Sequence, residues 1–324
     1  MIKKIWLASL AVFIWLEPAN ALDLNLNVQP RFKTGVQYYE YEQENFQGPT
    51  RDPQGRFGNI VGGLKFNDWM PFVGGGLTFF VDRFFVDFDV QYTFDGQDQS
   101  DFANQSFISG AGPFAPDAVL QTNSQLNADF DRLEWAFTAG FEVIDNLVLF
   151  AGYKKANTEF SSTLHGNLNG FRARDLAQIP FLTGTFTGRL DMELEYDGPF
   201  VGASYNWRMK HGFLDGVLSF NFAAAFLEGT VGLELNNTVA RTIDGAVKPI
   251  NFTGFGQNPF HGLVGDATGY SFGVGWRGVT PIEGLTYSIG ATGYIYDFES
   301  DITSDFTETQ VRLDFGIAYA FDLL

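Results

Sequence analysis

The sequence lacks cysteine altogether, has only three histidines and 12 prolines, and keeps its one uninterrupted apolar run within the first residues. Without cysteine there are no disulfides and no thiolate chemistry. After residue 21, glycine or polar residues interrupt each apolar stretch before it reaches the roughly 20 residues that a membrane-spanning helix needs. Helical membrane proteins and disulfide-stabilised secreted domains are therefore excluded as classes.

Positive charge is also scarce, because 20 Lys and Arg stand against 38 Asp and Glu, a formal net charge of −18. This acidity argues against nucleic acid as a partner and against a basic patch that binds anionic lipid. Asp95, Asp98 and Asp101 have a spacing that could bind calcium weakly. A solvated acidic loop is the competing interpretation, and no spacing typical of a metal or cofactor site is present, so no cofactor is expected.

The first 21 residues have the layout of a secretory signal peptide. Lys3 and Lys4 form a basic start, residues 5–16 are uncharged and apolar, and Ala19-Asn20-Ala21 is a small-residue cleavage pattern. We expect residues 1–21 to be removed and residues 22–324 to form the exported domain. An uncleaved N-terminal anchor is the alternative.

Aromatic residues are abundant, with 36 Phe, 12 Tyr and 6 Trp, and many of them alternate along the chain with polar or small residues. In residues 84–94, FFVDFDVQYTF, apolar side chains alternate with polar ones such as Asp87 and Asp89. Because successive side chains of a strand point to opposite faces, one face would be apolar and the other polar. The pattern recurs at residues 131–143, 217–228 and 310–323. A sandwich core would not accept the charged face, whereas a sheet between lipid and water requires one.

Short and long connections alternate along the chain. The predicted tight turns lie at residues 82–83, 144–146, 211–215 and 280–283, and the long polar segments at 45–56, 95–128, 161–188 and 236–266. Outer-membrane barrels have short periplasmic turns and long outer loops, and a sheet within a bilayer must close to pair its backbone. The sequence therefore predicts an all-β protein, a single transmembrane antiparallel up-and-down β-barrel of ten strands. Breaks at residues 69–71 and 197–199 would give twelve.

Together these features resemble the Gram-negative outer-membrane β-barrel proteins, and the resemblance covers residues 22–324. The spacing of strands and loops is similar to that of the ten-stranded omptin family of outer-membrane proteases. Residues 199–207, PFVGASYNW, are similar in character to a strand of that family. The resemblance implies a place in the outer membrane, contact with its lipid and lipopolysaccharide, and insertion by the barrel-assembly machinery.

The chain departs from the omptin pattern at the catalytic motifs. Omptins carry paired aspartates in the second outer loop and an Asp-x-His pair in the fourth, and this chain has no Asp-x-His. The fourth predicted loop offers Asp244, His261 and Asp266 instead. The chain also ends on Leu324, where barrels of this type commonly end on an aromatic residue. The resemblance therefore implies the topology and leaves the protease chemistry without its residues.

The polar face of the strands carries the functional prediction, because charges inside a membrane barrel either pair to plug it or line a water-filled path. The candidates for lining the lumen are Asp87, Asp89, Arg132, Glu134, Glu142, Arg312 and Asp314. Small residues at other inward positions favour a narrow passive channel for ions or small solutes, with no enzymatic activity. The alternatives are an omptin-like surface hydrolase that uses loop carboxylates, and a structural or binding barrel whose long outer loops contact an extracellular partner or lipopolysaccharide.

Overall fold

The computed structural model describes residues 26–51, 57–109, 117–172, 182–210, 215–243, 246–252, 260–299 and 305–322. These residues contain no helix long and apolar enough to cross a membrane. The strands are β1 (Leu26–Arg51), β2 (Phe57–Val81), β3 (Phe84–Ser109), β4 (Asp117–Ile144), β5 (Leu147–Arg172), β6 (Leu182–Met209), β7 (Gly216–Ile243), β8 (Ala246–Phe252), β9 (Phe260–Val279), β10 (Leu285–Glu299), β11 (Phe306–Tyr319) and β12 (Phe321–Asp322). The signal peptide predicted at residues 1–21 lies outside the described residues.

The strands close into a barrel of ten, as predicted. The ten barrel strands pair antiparallel in chain order, with β7 pairing directly with β9, and β1 closes the ring against β11 and β12. The short β12 continues β11 beyond Ala320, and β8 pairs with β7 off the ring. The twelve-strand alternative is wrong, because Pro71 and Pro199 both lie inside continuous strands.

Tight turns gather at one end of the barrel, here called the turn end. The predicted turns at residues 82–83, 144–146 and 280–283 are confirmed there, while residues 211–214 lie outside the described residues. Asp82, Asn146 and Gly284 have φ angles of 54°, 76° and 79°, in the left-handed region that Asp, Asn and Gly tolerate best. Leu26 pairs with Val81 beside a turn, so the described chain also begins at the turn end.

At the opposite end, here the hairpin end, the structure corrects the prediction of long loops. The segments predicted as loops are largely strand, because β3 and β4 stay paired as far as Ser109 and Asp117, and β5 and β6 as far as Gly170 and Leu182. A polar stretch longer than about 12–15 residues seldom stays without secondary structure in a compact domain. The strands therefore continue as paired hairpins past the apolar stretches that revealed them.

Along each long strand, apolar residues change from the outward to the inward face of the barrel wall, and polar residues change the opposite way. On β4, Leu133 and Phe137 face outward and are each 46% exposed. Asp129 lies on the same outward face, four residues from Leu133 towards the hairpin end, and there the face carries a carboxylate. Inward, Phe130 is buried, while Glu134 lies on the same face nearer the turn end. The outward apolar residues form a lipid-facing band in the turn-end half of the barrel. Its members include Phe32, Val73, Phe88, Val90, Leu149, Val201, Phe222, Phe272, Ile289, Leu313, Phe315 and Ile317.

The band identifies the barrel as transmembrane, because so many exposed aromatic and aliphatic side chains in one ring would be unstable in water. Trp69 on β2 and Trp207 on β6 are 52% and 57% exposed, and they lie towards the hairpin end and the turn end of the band. Both positions suit the girdles of aromatic residues that flank the apolar band of outer-membrane barrels.

At the level of the lipid-facing band, aromatic rings in the barrel interior pack against glycines of the neighbouring strand. Phe150 pairs across strands with Gly202, and Phe200 with Gly152. A Cβ atom at either glycine would collide with the ring opposite. Glycine at these two positions therefore lets the rings press against the wall and leaves the middle of the barrel open.

Candidate functional site

A cavity of about 760 Å³, here called the chamber, occupies the turn-end half of the barrel interior. Its lining runs from turn residues such as Arg83 and Asn146 to Glu134 and Tyr296, deeper along the strands. The chamber therefore lies at the level of the lipid-facing band. It opens at the turn end.

One wall of the chamber carries paired charges. Arg31 lies 2.8 Å from Asp87 and 3.3 Å from Asp89, and Lys33 also pairs with Asp89. Thr78 donates a hydrogen bond of 2.6 Å to Asp87. Both aspartates predicted to line the lumen are thus held by cations of β1, which the sequence pattern did not single out.

The opposite wall carries mainly small side chains, apart from Arg277 on β9 and Tyr294 and Tyr296 on β10. Its inward residues on β7, β9 and β10 include Ser219, Asn221, Ala223, Ser271, Gly273, Gly275, Ser288 and Gly290. A Cβ atom added at Gly275 would meet nothing closer than the Ile289 carbonyl oxygen at 3.8 Å. The chamber exists because these strands contribute so little side-chain volume.

Beyond the chamber lies a polar layer of buried charges: Arg132, Glu134, Lys154, Glu308 and Arg312. Glu134 is 3.3 Å from Arg132, 3.4 Å from Lys154 and 3.5 Å from Arg312. One carboxylate therefore gathers cations from three strands, β4, β5 and β11. Such convergence holds each charged group in a region that excludes most water.

Glu308 is the second carboxylate of the polar layer. It lies 3.1 Å from Arg132 and accepts hydrogen bonds of 3.1 Å from Tyr39 and 2.7 Å from Tyr196. Gln310 also donates to it. Buried polar groups normally find such partners, because an unpaired one keeps its full desolvation penalty.

Buried glutamine side chains link the charges of the polar layer to each other. Gln37 donates to Gln310 at 3.2 Å and accepts from Gln91 at 2.9 Å. Arg312 also donates to Gln37, at 3.3 Å. The layer is therefore a continuous hydrogen-bonded network that joins β1, β3 and β11.

An apolar core, here called the outer core, packs inside the barrel on the hairpin-end side of the polar layer. Ring centroids lie 4.9 Å apart for Phe66 and Phe160 and 4.2 Å apart for Phe298 and Phe306. Other members are Tyr41, Leu126, Phe130, Leu190, Met192, Leu194 and Leu227, and all are at most 6% exposed. Burial raises the pKa of the Tyr41 hydroxyl well above its usual value. In the described part of the chain, the chamber therefore ends blindly below a packed core.

The residues predicted to line the lumen separate into three places. Arg132, Glu134 and Arg312 meet in the polar layer, while Asp87, Asp89 and Asp314 lie on the chamber wall. Glu142 lies at the turn end, where it accepts a hydrogen bond of 3.0 Å from the Asn146 backbone. The structure thus brings together residues from strands far apart in the sequence.

Several charged residues of the interior were missed by the sequence pattern, namely Arg31, Lys33, Lys154, Arg277 and Glu308. Each lies on the inward phase of its strand, two or four residues from another inward residue. Extending the alternation through β1, β5 and β9, and two residues further back along β11 for Glu308, would have found them. β1, β5 and β9 alternate less cleanly than the strands that the sequence pattern revealed, so the signal in them was weak.

Of the carboxylates predicted as candidates for metal or hydrolase chemistry, the structure describes the side chains of Asp95, Asp98 and Asp266. Asp95 has a φ angle of 58° beside an irregularity in the β3–β4 pairing, and Asp98 accepts a hydrogen bond of 3.0 Å from the Asn67 backbone. The side chains of Asp101 and His261 lie outside the description. Among the described residues, no group of three or more His, Cys, Asp or Glu is arranged to hold a metal ion.

No family model and no curated protein matches the chain. Among solved structures, it is similar to the outer membrane protease OmpT from Escherichia coli, with a TM-score of 0.52 and 11% identity over 93% of this chain and 99% of that one. It also matches a Pseudomonas aeruginosa FadL homologue, at a TM-score of 0.27 and 13% identity over 93% and 91% of the chains. The Pseudomonas putida toluene transporter TodX matches at a TM-score of 0.21 and 9% identity, over 94% and 90%.

Of these structures, the protease exceeds a TM-score of 0.5, and at 11% identity the likeness is one of fold. The resemblance to outer-membrane barrels, drawn from the sequence, is therefore confirmed at the level of the fold.

Proposed function

We propose that this chain is a narrow solute channel of the Gram-negative outer membrane, and that it is closed at rest. The chamber supports the proposal most directly, since it holds water-accessible charges across the level of the lipid-facing band. Charged groups at this depth are expensive unless they serve a path or a site. The turn end then faces the periplasm. The outer core is the gate that must rearrange before ions or small solutes pass.

Conductance measurements in planar bilayers test the channel. Replacing Phe66 and Phe160 with alanine removes two rings that contact each other in the outer core. The matched control replaces Phe222 and Phe272, two lipid-facing rings, with alanine. We expect rare openings from the wild-type protein, frequent openings from the core variant and wild-type behaviour from the control. A refolded core variant that never conducts would overturn the channel, and steady conductance of the wild type would overturn the closed resting state.

The proposal also places the chain in its membrane. Export follows cleavage after Ala21, insertion uses the barrel-assembly machinery, and the lipid-facing band contacts outer-membrane lipid and lipopolysaccharide. Cell fractionation with N-terminal sequencing tests this, with Leu22 expected as the first residue of the outer-membrane form. An intact Met1 in the inner membrane would contradict it.

The extended hairpins favour a second function, a rigid platform that binds a partner at the cell surface. Paired strands reach Ser109 and Asp117 on β3 and β4, well past the lipid-facing band. Replacing residues 101–125 with a short turn tests this candidate against the channel. Loss of binding to purified lipopolysaccharide, with conductance unchanged, would favour the platform, whereas unchanged binding would argue against it.

A further inference from the structure

Two opposite charges inside the chamber have no direct partner. Arg277 of β9 and Asp314 of β11 both line it, and neither forms a hydrogen bond or an ion pair with another described residue. The other chamber wall behaves differently, because Arg31 and Lys33 are paired with Asp87 and Asp89. Arg277 is exposed towards the turn end and Asp314 is half-buried, so both charged groups remain available to a molecule that enters the chamber.

The two unpaired groups flank a floor of glycine. Asp314 pairs across strands with Gly290, and its carboxylate lies over that residue, 2.8 Å from where a Cβ atom would stand. Gly290 pairs in turn with Gly275, two residues from Arg277 on β9. A Cβ atom at Gly275 would point into open space. A guanidinium and a carboxylate therefore line the chamber beside Gly275, where the wall carries no side chain and leaves room for part of a small molecule.

We propose that this part of the chamber binds a small zwitterion, with its carboxylate on Arg277 and its ammonium group on Asp314. A guanidinium presents paired N–H donors that match a carboxylate, and a carboxylate accepts from an ammonium group. A molecule with a single charge would satisfy one group and leave the other unpaired. Ser288 of β10, the cross-strand neighbour of Arg277 on β9, adds a neutral hydroxyl to the same part of the chamber.

The inference rests on the chamber and not on its proposed role in conduction. Binding to a barrel that never conducts would support the site and reject the channel. Conduction without binding would do the reverse. The two proposals therefore fail separately.

Isothermal titration of the refolded barrel in detergent tests the site with unbranched ω-amino acids of two to six carbons. Acids and amines of the same lengths serve as singly charged controls. We expect one length to bind best, and at least about tenfold more tightly than its singly charged counterparts, as a charge-assisted hydrogen bond implies. Absence of binding at all lengths, or equal binding of the singly charged compounds, would overturn the proposal.

Three variants locate the site. Arg277→Gln should remove the preference for the zwitterion over the amine, and Asp314→Asn should remove the preference over the acid. Gly275→Val fills the floor where a Cβ meets open space, so it should abolish binding while the barrel still folds. Heat-modifiable migration on gels verifies folding for each variant. A folded Gly275→Val barrel that binds as tightly as the wild type would place the ligand elsewhere and contradict the assignment.

Discussion

The same strands build both halves of the barrel, but the two halves place their apolar and polar side chains on opposite faces of the wall. In the turn-end half, apolar side chains such as Phe137 face outward and charged ones such as Glu134 face inward. In the hairpin-end half, Phe130 faces inward and Asp129 outward, as in a water-soluble β-protein. The period of two continues through both halves of β4, and only the chemistry changes. The solvent outside the wall, lipid or water, therefore decides which residue type each face carries.

The inversion has a consequence for the lumen. An outward apolar face leaves the inward positions free for polar side chains, so the lipid-level half can hold a hydrated chamber. A water-exposed wall must bury its apolar residues inward, and the barrel interior is their only place. The outer core is thus the expected result of extending the strands beyond the membrane. The polar layer lies at the boundary between the lipid-facing half of the barrel and the water-exposed half.

The largest effect is expected from one substitution made on both sides of the inversion. Phe130→Asp places a carboxylate in the outer core, and we expect it to lower the free energy of unfolding by more than about 5 kcal/mol, since a buried charge and a cavity add together. Phe137→Asp on the same strand faces lipid and should cost clearly less. Urea titration followed by tryptophan fluorescence measures both. Equal losses would break the comparison.

The polar layer gives the next largest effect. Glu134→Gln leaves Arg132, Lys154 and Arg312 with one buried counter-charge fewer, and we expect a loss of about 3–5 kcal/mol in unfolding free energy. Adding Lys154→Met should recover a good part of that loss, because it removes one surplus cation. A double variant no more stable than the single one would show that the layer is not held by charge balance.

The lipid-facing band can be probed along a single strand. Phe315→Arg on β11 puts a cation into the band, and we expect a loss of about 2–4 kcal/mol. Thr309→Arg, on the same face but beyond the band, is the matched control and should change stability by no more than about 0.5 kcal/mol. Folding into lipid vesicles with urea titration measures the difference. Similar losses at the two sites would move the edge of the band.

The smallest effect is expected at the outside of the hairpin-end half. Lys65 lies 2.7 Å from Glu40 and 3.1 Å from Glu42 in an exposed position. Exposed ion pairs contribute little, so Lys65→Ala should cost less than about 1 kcal/mol. The same titration in low and high salt checks it, with the small loss disappearing at high salt. A loss that persists in high salt would indicate a contact other than the ion pairs.

Much of the fold could be read from the sequence, because alternation is strongest where lipid and water lie on opposite sides of a strand. Residues 84–94 and 131–143 gave the phase of their strands, and the turns at Asp82 and Asn146 gave their ends. The hairpin-end extensions have the sequence character of loops, because their apolar residues are fewer and fall on the other phase of the alternation. A search for apolar residues on the outward positions of a strand does not detect the stretch where the apolar residues move to the inward positions.

The sequence predicts which residues of the site face inward, but it does not predict which of them contact each other. Inward positions such as Asp87 and Arg132 follow from alternation, but their partners do not. Glu134 meets Arg312 only because the ring closes between β11 and β1. The blind end of the chamber likewise depends on rings from distant strands, such as Phe66 and Phe160, which meet in space and lie far apart in the sequence.

Spin-label accessibility along β4 tests the inversion most directly, and a chain without cysteine allows each label to be placed alone. Single cysteines at residues 126–138 would carry the label, with oxygen and a water-soluble nickel complex as the two relaxing agents. We predict oxygen access at position 137, nickel access at 129 and 136, and little access to either at 130. A lipid-like outward face along the whole scan, or nickel access at 130, would contradict the account.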